Sequence, residues 1–381
     1  MCKGGNAPGT VSQVHPSQYT FVQRIQDCSA SASSVSALYL NVPFRHAPHA
    51  AAVRRFCRAI QRDTQQRIRT LARYDPVQTL LVGGPRPSRL GIAGLHRALD
   101  SVREIPGMEA PVEATVEVHA ADLTPDDLPA LADAGYTRLS IRPLHRTRLS
   151  ASTVALLAAA REVLASASVD LRFGGPRPTL SQWQTLLDTA LAHGVPHVTL
   201  VEESGGPAAH ASEGFRMAHD RLAAAGYHPY ELTHWARRPE HASRHMMHQY
   251  AYGSILGIGP GAASLWRGPG ADHPVFRTRT LSSLDRYATH LVRGASPLAD
   301  RRRLSRRTRA CEFLMLRLRT ADGLHLPTLH RRFGIDLPRD SGPLLQRLSD
   351  AGHLTCTNQT LRLTASGRAL ADGIIIALLP S

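Results

Sequence analysis

The sequence predicts an α/β chain built on a parallel sheet, and three observations carry that prediction. Six apolar runs of strand length recur through the first half of the chain, segments of helical period lie between them, and the pattern changes after residue 226. The runs are ALYLNV (37–42), TLLVGG (79–84), ATVEVH (114–119), RLSIRP (138–143), VDLRFGG (169–175) and HVTLVEE (197–203). Strands separated by helices cannot be joined by tight turns, so they form a parallel sheet with crossovers. Either a doubly wound open sheet or an incomplete βα barrel satisfies this pattern. In both, chemistry gathers at the carboxyl ends of the strands, here around Gly83, Gly84, Glu117, Arg142, Gly174 and Glu202.

Each element has a local reason. Residues 1–34 are polar and rich in Ser, Ala and Gln, and read as a disordered extension. Val53, Phe56, Cys57, Ile60, Ile68 and Leu71 share one helical stripe, and Trp183, Leu186, Leu187 and Leu191 share another. Thr124 before Pro125, Asp126 and Asp127 supplies an N-cap, a first-turn proline and two acids at the positive end of a helix. Residues 35–226 therefore form the βα unit. Residues 227–300, rich in His, Tyr and Gly, read as an irregular lid or sheet extension with a His-rich segment. Residues 301–381 read as a winged-helix-like domain: a helix over about 304–319, helices near 324–333 and 341–351, a hairpin in HLTCTNQTLRLT, and a last helix.

Composition excludes several classes. The chain has 381 residues, 43% of them hydrophobic and 20% charged, enough for one large core or two moderate ones. Its five cysteines, Cys2, Cys28, Cys57, Cys311 and Cys356, show no CxxC or CxxxC spacing, against a disulfide framework, a zinc ribbon or a thiolate-bound cluster. The net charge of +15 is almost wholly arginine, since Lys3 is the one lysine. No aromatic-interleaved basic face accompanies it, so the charge alone does not favour a nucleic-acid partner. No apolar run reaches membrane-spanning length and MCKGGNAPGTVSQ lacks an apolar signal core; the expected location is cytoplasmic. LGIGPGAAS (256–264) lacks the Gly-Lys-Ser/Thr end of a phosphate loop.

From residue 37 onward the chain resembles the radical S-adenosylmethionine (SAM) proteins related to oxygen-independent coproporphyrinogen III oxidase, and among them the HemW-like haem-chaperone branch. The family's first strand ends in a proline-aromatic pair before CxxxCxxC; here LYLNVPF is kept, but Arg45, His49 and Ala52 stand at the three cysteine positions. GGGTPS reads Gly83, Gly84, Pro85, Arg86, Pro87, Ser88; EANP reads Glu117, Val118, His119, Ala120; NRLSIGVQS reads TRLSIRPLH, with Leu144 for the glutamine; DLIYGLPGQT reads DLRFGGPRPT. GYxxYEISNFARPGHxxRHNxxYW reads GYHPYELTHWARRPEHASRHMMHQY, followed by LGIGPGAAS, and the C-terminal LSRRTRACEFLMLRLRTADGL and LRLTASGRAL also match.

The resemblance implies a partial (βα)6 radical-SAM-type barrel. It implies a four-iron four-sulfur cluster and SAM, the latter at Gly83, Gly84, Glu117 and Asp170. The residues oppose both. Arginine does not ligate iron, alanine has no donor atom, and one imidazole does not hold a cluster, so the cluster is expected to be absent. The losses at Pro85, Arg86 and Leu144 weaken SAM binding. The histidine of RHNxxYW resembles a haem ligand and is His245 here. In one continuous helix His241 and His248 would face the same way, with Tyr250 nearby and Arg237, Arg238 and Arg244 placed for propionates. The implied role is binding haem or a porphyrin and delivering it to an accepting protein, without radical catalysis. The alternatives are a non-catalytic interaction subunit using the basic run Arg301, Arg302, Arg303, Arg306, Arg307 and Arg309, and, requiring cysteines the chain lacks, radical oxidation of a porphyrin side chain.

Overall fold

The structure is a computed structural model that describes residues 36–71, 76–176, 178–267 and 274–380; the expected N-terminal extension lies outside them. Six βα units come first: β1 (Ser36–Asn41), α1 (Ala50–Leu71), β2 (Val77–Gly83), α2 (Gly91–Asp100), β3 (Glu113–His119), α3 (Leu128–Ala134), β4 (Arg138–Arg142), α4 (Ala151–Val163), β5 (Ser166–Phe173), α5 (Leu180–Ala192), β6 (His197–Glu202) and α6 (Ala208–Ala224). All six apolar runs are strands. The predicted N-cap at Thr124 opens a 3-10 turn into α3, with Asp127 Oδ2 accepting from the Thr124 amide at 2.8 Å.

Strand order decides between the two architectures left open by periodicity. β1 to β6 lie side by side in sequence order, every pair parallel. A doubly wound sheet reverses direction at a switch point, whereas an unreversed order puts every crossover helix on one face, as in a barrel. The strands show the consequence. Leu38, Leu40, Leu80, Val82, Val116, Val118, Leu139, Ile141, Val169, Leu171, Val198 and Leu200 are buried in one core with Phe56 and Ile60 of α1 and Trp183 and Leu187 of α5. The alternate residues point the other way and are polar: Tyr39, Asn41, Thr79, Glu113, Thr115, Glu117, Arg138, Ser140, Arg142, Ser166, Asp170 and His197.

The segment after residue 226 extends this sheet at both edges. β7 (His228–Pro229) and β8 (His234–Ala236) add antiparallel beside β6. β9 (Ile255–Ile258) runs parallel to β1, and β10 (Ala263–Arg267), β11 (Val275–Thr280) and β12 (Leu298–Arg303) continue antiparallel beyond it, giving twelve strands. Between them lie α7 (Arg244–Tyr250) and α8 (Leu284–Val292). LGIGPGAAS is the tight β9–β10 connection. A Cβ at Gly259, where φ is +103°, would fall 2.4 Å from the Asn41 carbonyl oxygen, and the Asn41 side-chain amide donates to Pro260 O at 2.6 Å. Arg301, Arg302 and Arg303 lie on β12, the outer strand, and are exposed; charge on an edge strand opposes further pairing.

The C-terminal unit has the order of a winged helix: α9 (Arg306–Leu318), β13 (Leu324–His325), α10 (Leu326–Phe333), α11 (Leu337–Asp350), then the hairpin β14 (Leu354–Cys356) and β15 (Thr360–Leu363), with α12 (Ala365–Ala369) and α13 (Ala371–Leu378) closing it. Its core, including Phe313, Leu314, Leu329 and Ile375, also takes in Leu232 and Tyr252 of the barrel segment. At this junction Glu231, fully buried, meets Arg319 at 2.8 Å and His234 at 3.0 Å. Burial alone would raise the Glu231 carboxyl, but the His234 hydrogen bond, the Arg319 guanidinium and the Thr233 amide together hold it down at about 2.

A carboxyl depressed from 4.5 to about 2 contributes stability that is fully present above pH 4.5 and is lost as pH falls through about 2. Glu231→Gln is therefore expected to cost roughly 3 kcal/mol near neutrality, because it leaves a part-buried guanidinium without its acid. It should also flatten the acid limb of the stability profile. Urea melts of both proteins from pH 7 to pH 3 check this, and an unchanged acid limb would count against the assignment.

Candidate functional site

The carboxyl ends of β1 to β6 form one opening of the barrel. Gly83 and Gly84 let it close tightly: a Cβ at Gly83 would lie 2.8 Å from the Tyr39 ring, and one at Gly84, where φ is +129°, 2.3 Å from Val42 O. Glu117 lies beside them. Burial, then Asp170, push its carboxyl up to about 7, opposed by Arg142 and the Gly84 amide. Asp170 is raised by burial too, although Arg142 and a 3.1 Å hydrogen bond from Ser140 hold it back. Burial and Glu117 raise the Tyr39 hydroxyl to about 12. Gly83, Gly84, Glu117 and Asp170, the four positions matching the SAM pocket, are thus brought together.

What fills the space between them differs from the family pattern. Arg142, where the family has glycine, places a guanidinium that lowers both Glu117 and Asp170. A small cavity of about 260 Å³ beside it is lined by His119, Arg142, Leu144, His145, Arg146 and Arg172 among others. Arg146 and Arg172 share Glu203 at 2.9 and 2.6 Å. Arg86, where the family has threonine, makes two bonds to Asp122 (2.7 and 2.9 Å), which also accepts from the retained Ser88 at 2.6 Å. Arg142 offsets the two acids only in part, since burial still leaves both raised. The lining departs from the family pattern at Pro85, Arg86, Arg142 and Leu144, where contacts to SAM are lost, and keeps it at Gly83, Gly84, Glu117 and Asp170.

The loop after β1 does not fit a cluster either. Arg45 and His49 are exposed and Ala52 half-buried, and His49 Nδ1 accepts the Ala52 amide at 3.2 Å at the start of α1. One imidazole is the whole donor set at the three positions. Cys57 lies with Phe56 and Ile60 in the apolar core, its thiol raised by burial. Pro43-Phe44 is kept for packing: the Phe44 ring meets Phe56 edge-on at 5.7 Å.

The second group of candidates sits at the opposite, amino-terminal end of the strands. Glu113, at the start of β3, accepts from Ser243 Oγ at 2.8 Å, the Arg244 amide at 2.9 Å and the His245 amide at 3.1 Å, and so seats α7 against the barrel base. His245 is 2% exposed, with Nδ1 3.1 Å from Thr79 Oγ1; burial lowers it to about 4, outweighing Glu113, so the ring is neutral. The expected common face for His241, His245 and His248 is not formed. α7 begins at Ser243, whose hydroxyl accepts the Met246 amide, so His241 lies before the helix, in a 3-10 turn. His248 Nε2 faces Ser254 O at 2.8 Å, and Tyr250 turns to Glu231 at the domain junction. His241 alone of the four lines an open cleft, of about 700 Å³, with Arg161, Arg237 and Arg238. Sequence reasoning named Arg237, Arg238 and His241 but missed Arg161, which comes to the cleft from α4, distant in the chain.

Comparison with known proteins agrees with this architecture. The family model described as "HemN C-terminal domain" matches residues 304–370. The chain is 28% identical over 334 residues to the heme chaperone HemW of Mycobacterium tuberculosis H37Rv, covering 80% of this chain and 81% of that one. It is 22% identical to HemW of Bacillus subtilis, covering 83% and 89%. It is 26% identical to the bovine mitochondrial radical S-adenosyl methionine domain-containing protein 1, covering 86% and 80%. The structure superimposes on the coproporphyrinogen III oxidase HemN of Escherichia coli, described as a radical SAM enzyme, with a TM-score of 0.74 and 18% identity over 95% of this chain and 93% of that one.

If donor chemistry is what keeps the loop empty of a cluster, restoring it should reverse the outcome. Anaerobic incubation with iron and sulfide is expected to leave the natural chain colourless. The triple variant Arg45→Cys, His49→Cys, Ala52→Cys should gain sulfide and visible absorption. Near-stoichiometric sulfide on the natural chain would overturn the reading.

Proposed function

We propose, from the chain's similarity to the heme chaperone HemW over most of its length, that it binds haem or a porphyrin and hands it to an accepting protein, without radical catalysis. The observation that carries this reading is the unequal fate of the two ends of the barrel. At the mouth, the three cluster positions hold Arg45, His49 and Ala52, and Pro85, Arg86 and Leu144 replace residues of the cofactor pocket, whose Gly83, Gly84, Glu117 and Asp170 remain. At the base, the segment resembling the haem-ligand motif keeps Arg244 and His245, with Met246, Gln249 and Tyr250 at its asparagine, tyrosine and tryptophan positions, and is seated by Glu113; His241 and His245 are both lowered by burial and therefore neutral imidazoles. Neutral imidazole is the form that ligates haem iron. The relatives named heme chaperone match along most of the chain, so the reading covers both barrel and C-terminal unit.

Delivery demands binding that a stronger acceptor can undo. None of the helices among the described residues is long and apolar enough to cross a membrane. Titration of the purified chain with ferric haem is expected to give a saturable Soret shift, and addition of apomyoglobin should draw the haem across with recovery of the unliganded protein. No shift at any haem concentration, or haem that stays bound against apomyoglobin, would refute the chaperone reading.

A further inference from the structure

The cleft at the amino-terminal end of the barrel has a chemistry of its own. Its walls come from the ends of α4, α5 and α6 and the starts of β5 and β6: Leu164, Ala165, Pro196 and Ala225 give apolar surface, and Arg161, Arg237, Arg238 and His241 give polar groups. At about 700 Å³ it is the size of a pocket for a small organic ligand. The guanidinium groups of Arg161 and Arg237 converge on Gly194, where a Cβ would lie 3.3 Å from Arg237 Nη1 and 3.7 Å from Arg161 Nη1. Arg161 donates to the His193 carbonyl, and neither it nor Arg237 has an ion-pair partner among the described residues. Arg238 reaches only the exposed Glu240, at 3.4 Å.

Behind this surface lies a second, independent sign. Arg138 is 3% exposed, and its Nη1 donates to Ser166 Oγ at 3.0 Å and His241 O at 2.8 Å, both residues of the cleft wall. No carboxylate pairs with it among the described residues. A buried guanidinium without an acid is costly unless an anion completes it. Four guanidinium groups, those of Arg138, Arg161, Arg237 and Arg238, therefore bear on one cleft whose own acid is a single exposed glutamate. On the same wall His241 has Nδ1 3.3 Å from Ser166 Oγ, which leaves Nε2 for the cleft.

We propose that this cleft, and not the mouth of the barrel, is the tetrapyrrole seat, with the ligand's carboxylates on Arg161 and Arg237 and His241 Nε2, rather than His245, as the axial ligand to iron. The assignment rests on the haem-binding reading above and adds its location. Arg138 is a positioning residue: it holds the His241 backbone and supplies positive potential beneath the ring. His245 belongs to the scaffold, tied between Thr79 and Glu113.

Two probes separate seat from ligand: ferric haem and iron-free protoporphyrin IX, each titrated against the full chain. His241→Ala is expected to weaken haem binding roughly tenfold or more and alter the Soret band, while leaving the iron-free porphyrin within about twofold. The double variant Arg161→Ala, Arg237→Ala should weaken both probes together; both of its sites are on the surface, so it keeps the fold. His241→Gln, which retains a polar partner for Ser166, guards against loss of packing and should behave as His241→Ala does. Haem binding that survives His241→Ala and His241→Gln unchanged, or porphyrin binding indifferent to the arginine pair, overturns the seat while leaving the chaperone reading intact. A natural chain that binds neither probe overturns the chaperone reading itself.

Discussion

The base of the molecule depends on one buried carboxylate. Glu113 opens β3 on the polar face of the sheet, where an acid would be expensive without partners, and it finds three donors at the start of α7. Two are the first backbone amides of that helix, which have no partner within it, so a single side chain relieves its own desolvation and completes the helix end. Because the acid sits on a central strand and the helix on a distant part of the chain, the contact fastens the segment after β8 across the barrel floor. His245 takes its position from it, while His241 is held by Arg138 and Ser166 and Arg237 by the Pro196 carbonyl.

At the other end the same polar face is balanced by arginine. Arg142 stands between Glu117 and Asp170, Arg86 and Arg89 share Asp122, and Arg146 and Arg172 share Glu203. Of the residues that depart from the family pattern, Arg86 is paired, with Asp122, and Arg142 lowers Glu117 and Asp170 without cancelling the effect of their burial. Part of the +15 excess is accordingly structural, and another part, Arg301 to Arg303, lies along the outer strand of the sheet.

Much of this was legible from residue order. The six parallel strands, the start at Thr124 and the hairpin between Leu354 and Leu363 follow from periodicity and turn chemistry, because in each the local preference and the packing agree. The edge strands were not legible: β7 and β8 span two and three residues, too short for any period to register. Nor was the base. Glu113, Arg138 and His197 open three of the strands and are buried, and none of them was assigned a role from the sequence, although a buried charged or polar residue at a strand start calls for a partner on the inner face. The shared face assigned to the histidines assumed one helix from His241 to Tyr250. Pro239 and the cap at Ser243 divide that stretch, and the serine was the signal that could have corrected it.

One strand connects the two halves of this protein. β8 is three residues long; His234 at its start binds Glu231, which holds Arg319 of the C-terminal unit, and Arg237 immediately after its end lines the basal cleft. At about 3.3 Å per residue the domain junction and the cleft are separated by roughly 10 Å of extended backbone. The strand is anchored by the fully buried Trp235 and Ala236 as well as by its short pairings with β6 and β7. One short strand thus carries at one end the histidine that meets the buried Glu231 and is followed at the other by an arginine of the basal cleft.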